Sequence, residues 1–386
     1  MCNFVARECI AIGPHGALDE LNNKGLPGTL GPITPLVSES GKLNPKSELS
    51  GYSSVILKTD PGLEIFAISK MSAVLGNRIN KGQAAVDLNH YMPWGASEPI
   101  TPEVIRLSPY AQSELDAVRH LLRSGVVAGE PHPRVAVLDS GLASDYSGHR
   151  EINYFDYSQG GRLAPANPQS DPLGHGTRVV SVLDQILPNQ VGLSVGRLPS
   201  GGNSLTVLAV VQAYADIVAR QSPNVINLSI APRSNSAVCP HCRKRTTALT
   251  FFSSFFPLIM RLAGRSPTPT ITVMAAGNEG QVPNSRWLTK DLDTLLLAVA
   301  ENRFRQRARY SSALEGPNAD LFSASAFGGD DPDDTGSSGF FTDGDHGTSF
   351  AAPILSALAL LPRPAATHPI GSFVQEKMRE ARAARE

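Results

Sequence analysis

Val135-Ala136-Val137-Leu138-Asp139-Ser140-Gly141 decides how this chain folds. Four apolar residues in a row, two of them β-branched, suit a strand buried on both faces, as in a parallel sheet covered by helices. Reading onward, residues 177–187 carry a helical pattern that Pro188-Asn189 stops. Residues 191–195 form a short strand, and 205–219 a mostly apolar and therefore buried helix. Further strands follow at 225–230, 271–276 and 295–300. Strands alternating with helices imply right-handed crossovers and an α/β fold, with a mostly parallel central sheet and helices on both faces. Reading backward, residues 108–123 predict a helix with Ser108 as N-cap and Pro109 in its first position. Residues 65–75 suit a short helix or strand, and 53–58 a strand. Before that, residues 10–51 are rich in Gly, Pro, Ser and Asn and show neither period, so they read as irregular. The expected organisation is an irregular segment at 1–51, a small α/β region at 52–130 and the large α/β domain at 131–386.

Composition narrows the function classes. The 386 residues are 41% hydrophobic and 18% charged, with a formal net charge of −1. There is no basic excess to draw nucleic acid or an anionic membrane. Thirty-four glycines and 30 prolines exceed the average share but stop short of low complexity. A coiled coil, a collagen and a fully disordered chain are excluded. Arg7 and Glu8 break any apolar run near the start, so no secretory h-region forms. The most apolar stretch, 248–260, contains Ser253, Ser254 and Pro257, and is too short to span a bilayer. It reads as a buried helix. Four cysteines make no disulfide framework, and the expected compartment is the cytoplasm.

Four short stretches carry chemistry. Asp139 follows a buried strand directly, where open α/β sheets place ligands and catalysts; alone it would read as a turn former. His175 lies between two glycines in Asp171-Pro172-Leu173-Gly174-His175-Gly176-Thr177, which lets other groups approach the imidazole closely. Asn278, in Ala275-Ala276-Gly277-Asn278-Glu279-Gly280, closes another strand and can donate to developing negative charge. Gly347-Thr348-Ser349-Phe350-Ala351-Ala352-Pro353 opens an apolar helix. A serine there meets backbone N–H groups and a helix dipole that favour an anion, although a Ser or Thr in that place is often only a cap.

Together, in the order Asp139, His175, Asn278, Ser349 and with gaps of 36, 103 and 71 residues, these stretches resemble the subtilisin-like serine peptidases, or subtilases. The resemblance covers roughly residues 131–384. It implies a subtilisin-like three-layer fold and a serine endopeptidase with Asp139, His175 and Ser349 as a triad. It further implies Asn278 in the oxyanion hole, and a polypeptide substrate lying along Leu228, Ser229, Ile230 and Ala231, with Ala276 and Gly277 opposite. The family typically has Ser-Leu-Gly there, with Gly common at the next position too, whereas this chain has Ser229, Ile230, Ala231 and Pro232; side chains in place of glycines narrow that pocket. Ser323-Ala324-Ser325-Ala326 departs from the family's usual Ala-Pro-Gly, and residues 232–270 look inserted. His346-Gly347-Thr348 repeats a His-Gly-Thr triplet but belongs to the nucleophile stretch, so His175 is taken as the base. The alternative is a catalytically silent subtilase fold serving as a protein-binding module. An α/β-hydrolase is disfavoured, since no Gly-x-Ser-x-Gly occurs and that fold orders its triad Ser, Asp, His.

No cofactor is required by this chemistry. Cys239-Pro240-His241-Cys242 could supply half a structural zinc site, with Cys2 and Cys9 as the other half, though an exposed pair of free thiols is the simpler reading. Asp330, Asp331, Asp333, Asp334, Asp343 and Asp345 could serve calcium, as many family members bind it, but read more simply as a solvated acidic loop. Asp171 is expected to orient the histidine loop. The N-terminal region is expected to act either as a folding prosegment or as a docking site for a regulatory protein.

Overall fold

The computed structural model describes residues 4–384 except 23, 38–46, 61, 91–104, 126–131, 165–167, 201–204, 231–236, 239–244, 247–254, 266–268, 281, 283–287, 289–291, 317–318, 335 and 364–368. Strand β1 (Phe4–Pro14) runs through the middle of an N-terminal sheet. It is followed by a one-turn helix α1 (His15–Leu18), β2 (Gly28–Leu30), β3 (Thr34–Pro35) and β4 (Tyr52–Thr59). Helix α2 (Glu64–Asn80) then crosses back to β5 (Ala85–His90). All pairings are antiparallel, and β1 lies between β4 and β5.

The irregular segment expected at 1–51 is thereby corrected, since it supplies the central strand of this sheet. The alternation was masked at Arg7-Glu8. Arg7 takes a φ of 67°, and the pairing with β5 slips in register between Phe4 and Cys9, a bulge that breaks the period of two. Beyond it the period is clean. Cys9 and Ala11 pack with Ala67, Met71 and Leu75 of α2. Ile10 and Ile12 turn the other way, into the core of the larger sheet's helices.

Helix α3 (Pro109–Gly125) begins the second body, and the expected cap forms, with Ala111 N donating to Ser108 Oγ at 3.3 Å. Then come β6 (Arg134–Asp139), β7 (Ile152–Asp156), α4 (His175–Ile186), β8 (Gly192–Arg197), α5 (Val207–Gln221) and β9 (Val225–Leu228). A minimal hairpin, β10 (Ala237–Val238) with β11 (Arg245–Thr246), precedes α6 (Phe255–Gly264). The chain closes with β12 (Ile271–Ala275), β13 (Leu295–Glu301), α7 (Ala319–Phe322), β14 (Ser323–Phe327), α8 (Thr348–Leu358) and α9 (Ile370–Ala383).

Among the described residues the large sheet runs β14-β13-β12-β9-β6-β8-β7, with every pairing parallel. This is the expected α/β architecture. Val135 and Val137 of β6 face the layer of α3, α4, α8 and α9. Ala136 and Leu138 face α5 and α6. Helix α3, assigned by sequence to the small region, buries Leu115, Val118 and Leu122 among α4, α8 and α9. A division at residue 130 therefore cuts through a packed core, because α3's apolar face has its partners downstream.

The small sheet packs on α5 and α6. Ile10, Ile12, Leu36, Val37, Leu49 and Ala85 share their core. Gln212 Nε2 donates to Ser54 Oγ at 3.4 Å, and Leu208 N to Asn89 Oδ1 at 3.4 Å. The exposed edge of β14 is covered, since Ser325 N donates to Gln375 Oε1 at 2.7 Å and Phe327 N to Glu114 Oε1 at 3.3 Å. Such covering hides a strand edge from other chains. Among the described residues no helix is long and apolar enough to cross a membrane.

Candidate active site

Asp139, the last residue of β6, is wholly buried. Its Oδ1 accepts from Ser140 N at 2.7 Å and pairs with His175 Nδ1 at 2.8 Å. His175 is the first residue of α4, and glycines let the two come together. A Cβ at Gly176 would lie 2.3 Å from Gly141 O. Asp171 ties this loop as expected. Its Oδ1 accepts from Ser140 Oγ at 2.6 Å and Gly174 N at 2.9 Å, and its Oδ2 from Thr177 N at 2.7 Å and Thr177 Oγ1 at 2.6 Å. Burial pushes the His175 pKa down. The charge and hydrogen bond of Asp139 oppose it, with smaller help from Asp345 and Asp171, and the result lies above the ordinary histidine value.

Ser349 is the second residue of α8, half-exposed at the helix N-terminus. Before it, Gly347 takes a φ of 156° and comes so near Asn278 that a Cβ would sit 2.9 Å from Asn278 Nδ2. Thr348 N and Oγ1 both donate to Asn278 Oδ1 at 2.9 Å. The amide oxygen is thus occupied, which orients Nδ2 as the free donor. Pro353 lies four residues after Ser349 inside the helix. It has no N–H, so the Ser349 carbonyl lacks its helical partner. Ser229 Oγ fills that place at 2.9 Å, and is itself held by Asn227 Nδ2 at 2.8 Å, whose Oδ1 accepts from Ser356 Oγ at 3.0 Å. The Ser349 hydroxyl donates to Ser229 O at 3.1 Å. That bond points the hydroxyl at Ser229 O and not at His175, whose ring lies 6.0 Å from that of Phe350. Catalytic hydrogen bonds in ligand-free sites often form only when substrate binds.

The structure therefore brings Asp139 and His175 into contact, and Asn278 and Ser229 against the turn that carries Ser349. Leu228 and Ile230 are buried beside Ser229, and Ala276 is buried at the end of β12. Gly277 N donates to Thr348 Oγ1 at 3.2 Å. Ala231, Cys239 and Cys242 lie outside the described residues. Cys9 is buried in β1 and donates to Glu64 O at 3.4 Å. Burial first, then the charges of Glu64 and Asp87, push its thiol up to about 12. It stays protonated there and is a poor partner for zinc, which binds thiolate. Among the described residues no group of three or more His, Cys, Asp or Glu could hold a metal ion.

The acidic cluster is only in part the solvated loop expected, with Asp333, Asp334 and Asp343 exposed. Asp330 and Asp331 are buried, and accept from Arg303 N at 2.8 Å and Arg309 N at 2.6 Å. Asp343 and Asp345 hold Arg178, which sequence reasoning missed. Arg178 follows His175 by one turn of α4 and is only 3% exposed. Its Nη1 donates to Asp345 Oδ2 at 2.5 Å, its Nη2 to Asp343 Oδ2, and its guanidinium lies 4.9 Å from the Phe341 ring centre. Helix α4 and the loop before Ser349 are thus clamped together. Residues 105–108 join the same loop, through Thr342 N to Arg106 O at 2.8 Å and Ser108 N to Phe340 O at 3.0 Å. His346 lies against Tyr310, with ring centres 4.8 Å apart and planes tilted by 60°.

Comparison with known proteins follows this geometry. The model of the subtilase family matches residues 131–379. Among solved structures, the epidermin leader peptide processing serine protease of Staphylococcus aureus is similar over 92% of this chain and 88% of its own, at 14% identity and a TM-score of 0.51. A mutant of the protease domain of PatA is similar over 61% of this chain and 81% of its own, at 22% identity and a TM-score of 0.40. A psychrophilic subtilisin-like protease of an Antarctic Pseudoalteromonas is similar over 58% of this chain and 46% of its own, at 16% identity and a TM-score of 0.35. No curated protein matches the chain.

Proposed function

The chain belongs to the subtilase family, and from that premise we propose that it is a serine endopeptidase acting on polypeptides through Ser349, His175 and Asp139. Ser349 Oγ attacks the scissile carbonyl carbon and gives its proton to His175 Nε2. The C–N bond then breaks as His175 returns that proton to the leaving amine, and water hydrolyses the acyl-enzyme by the same route. Asp139 fixes the tautomer, since its Oδ1 meets Nδ1 and leaves Nε2 as the base. Asn278 Nδ2 and the N–H of Ser349 stabilise the tetrahedral oxyanion, helped by the N-terminus of α8.

The observation that carries this reading is the 2.8 Å bond between buried Asp139 and His175 at the same sheet edge as the Ser349 turn. The substrate pairs as an added strand beside 228–231. The region before residue 105 acts as a regulating body docked on α5 and α6, and α3 belongs with the catalytic body, as its packing supports.

A second reading, a silent binding fold, draws on the Ser349 hydroxyl facing Ser229 O instead of His175. Fluorophosphonate labelling separates the two. Wild type should be labelled and Ser349→Ala not. Absence of Ser349-dependent label in folded protein, with the N-terminal region cleaved off or displaced, overturns the peptidase reading.

A further inference from the structure

A cavity of about 770 Å³ opens between α9 and the loop after β13, with no wall supplied by Asp139, His175 or Ser349. Its floor is the edge of the sheet. Glu301 there is committed, accepting from Ser325 Oγ and from Arg382 Nη2 at 2.8 Å, while Arg382 also holds Glu114. The rim is cationic, with Arg305 and Arg307 on the loop and Arg379 on α9. Arg303 and Arg309 of the same loop are taken by Asp330, and by Asp331 and Asp334. The Arg307 and Arg379 guanidinium groups have no hydrogen-bond or ion-pair partner among the described residues.

A second cavity, of about 300 Å³ and lined by Tyr110 and Phe327, shares Arg305 and Arg382 with the first. Arg305, which lines both, takes a φ of 60°, a left-handed conformation that is strained for a non-glycine residue. Phe304 beside it is 67% exposed, and Tyr110 is half-exposed.

The geometry points to a binding groove for an acidic polypeptide segment, with Arg307 and Arg379 taking its carboxylates and Phe304 and Tyr110 its apolar side chains. The two cavities share Arg305 and Arg382 in their walls and so lie side by side, one with a cationic rim and one with an aromatic wall, a pair that fits a chain with spaced charges and apolar side chains better than one compact anion. Planar guanidinium forks suit carboxylates in particular. A nucleic acid is disfavoured. A phosphate backbone needs a continuous basic track, and the rim offers a few arginines broken by Asp320 on a chain of net charge −1, which suits spaced carboxylates instead. The binding stands apart from catalysis; that the bound segment belongs to a substrate rests on the peptidase reading.

The test uses the full chain as Ser349→Ala, so that nothing is cleaved, and a fluorescein-labelled peptide of glutamates interrupted by leucines, read by anisotropy. Binding should be saturable. It should weaken at least about tenfold when Arg307→Ser and Arg379→Ser are combined, since two charge-assisted contacts are lost. It should also fall steeply at roughly 0.5 M salt, where the Debye length shrinks to a few ångströms. Both arginines are exposed, so the melting temperature should not move. Equal binding of the peptide with glutamine for glutamate overturns the groove, as does undiminished binding by the double variant. Competition by single-stranded oligothymidylate as effective as by unlabelled peptide overturns the polypeptide assignment. Loss of peptide binding with wild-type labelling intact defeats the groove alone, and loss of labelling with peptide binding intact defeats the peptidase reading alone.

Discussion

In the antiparallel sheet, β1 gives Cys9 and Ala11 to α2, a helix of its own body, but gives Ile10 and Ile12 to α5 and α6 of the other. In the parallel sheet, β6 gives Val135 and Val137 to one helical layer and Ala136 and Leu138 to another, and both layers belong to its own body. The small body is therefore finished only by docking, and the same docking covers α5 and α6 of the large one. Chemistry divides the same way. Parallel strands bring their C-terminal ends to one edge, where Asp139, Ser229 and Asn278 meet. The antiparallel sheet has no such common edge, and its residues serve packing.

The contrast is broken most directly at the shared core. Ile12→Ala should cost about 2–5 kcal/mol, read as a lower denaturant midpoint, while the fluorophosphonate labelling rate of the folded fraction stays unchanged. A change in that rate would mean that the small body shapes the site. The mirror experiment is Asn278→Ala. It should lower turnover by about 10²–10³, a magnitude measured for the corresponding donor in a member of the same family, with the docking of the small body unaffected by limited proteolysis.

Arg178→Met should have a medium effect, costing roughly 1–2 kcal/mol because Asp343 and Asp345 lose a shared buried partner. Its signature is in the pH profile. His175 already titrates above its ordinary value, and freeing Asp345 of its cation favours the imidazolium further. The base is then neutral only at higher pH, so the acid limb of kcat/KM moves up. Asp345→Asn should move it down, and a profile that stays still in both would reduce Arg178 to a packing residue. Ser54→Ala, which removes a single inter-body hydrogen bond to Gln212, should cost only about 0.5–1.5 kcal/mol in a thermal melt and leave turnover untouched.

Much of the catalytic body was legible because its signals are local. An apolar run makes β6, and each proposed catalytic residue sits at a strand end or helix start amid glycines. What escaped depends on distant partners or on broken periods. Strand β1 hid behind the bulge at Arg7. Strand β14 reads Ser-Ala-Ser-Ala, too small to look like a strand until α9 and β13 flank it. Arg178 pairs with residues more than 160 positions away, a contact no spacing rule could find. The acidic cluster looked solvated because its arginines come from a separate loop. The role of the Ser229 hydroxyl could have been found, since a proline four residues after Ser349 announces a carbonyl in need of a donor.

The two hydrogen bonds that join 106–108 to 340–342 have a mechanical meaning. Residues 105–108 are the first described after the small body, and they are stitched to the strap that leads into the Ser349 turn. They stand in series between one body and the working end of the other. A pull on the small body is divided between its docking on α5 and α6 and those two bonds. Part of that tension would thus be felt at the approach to Ser349, far along the sheet from the docking face.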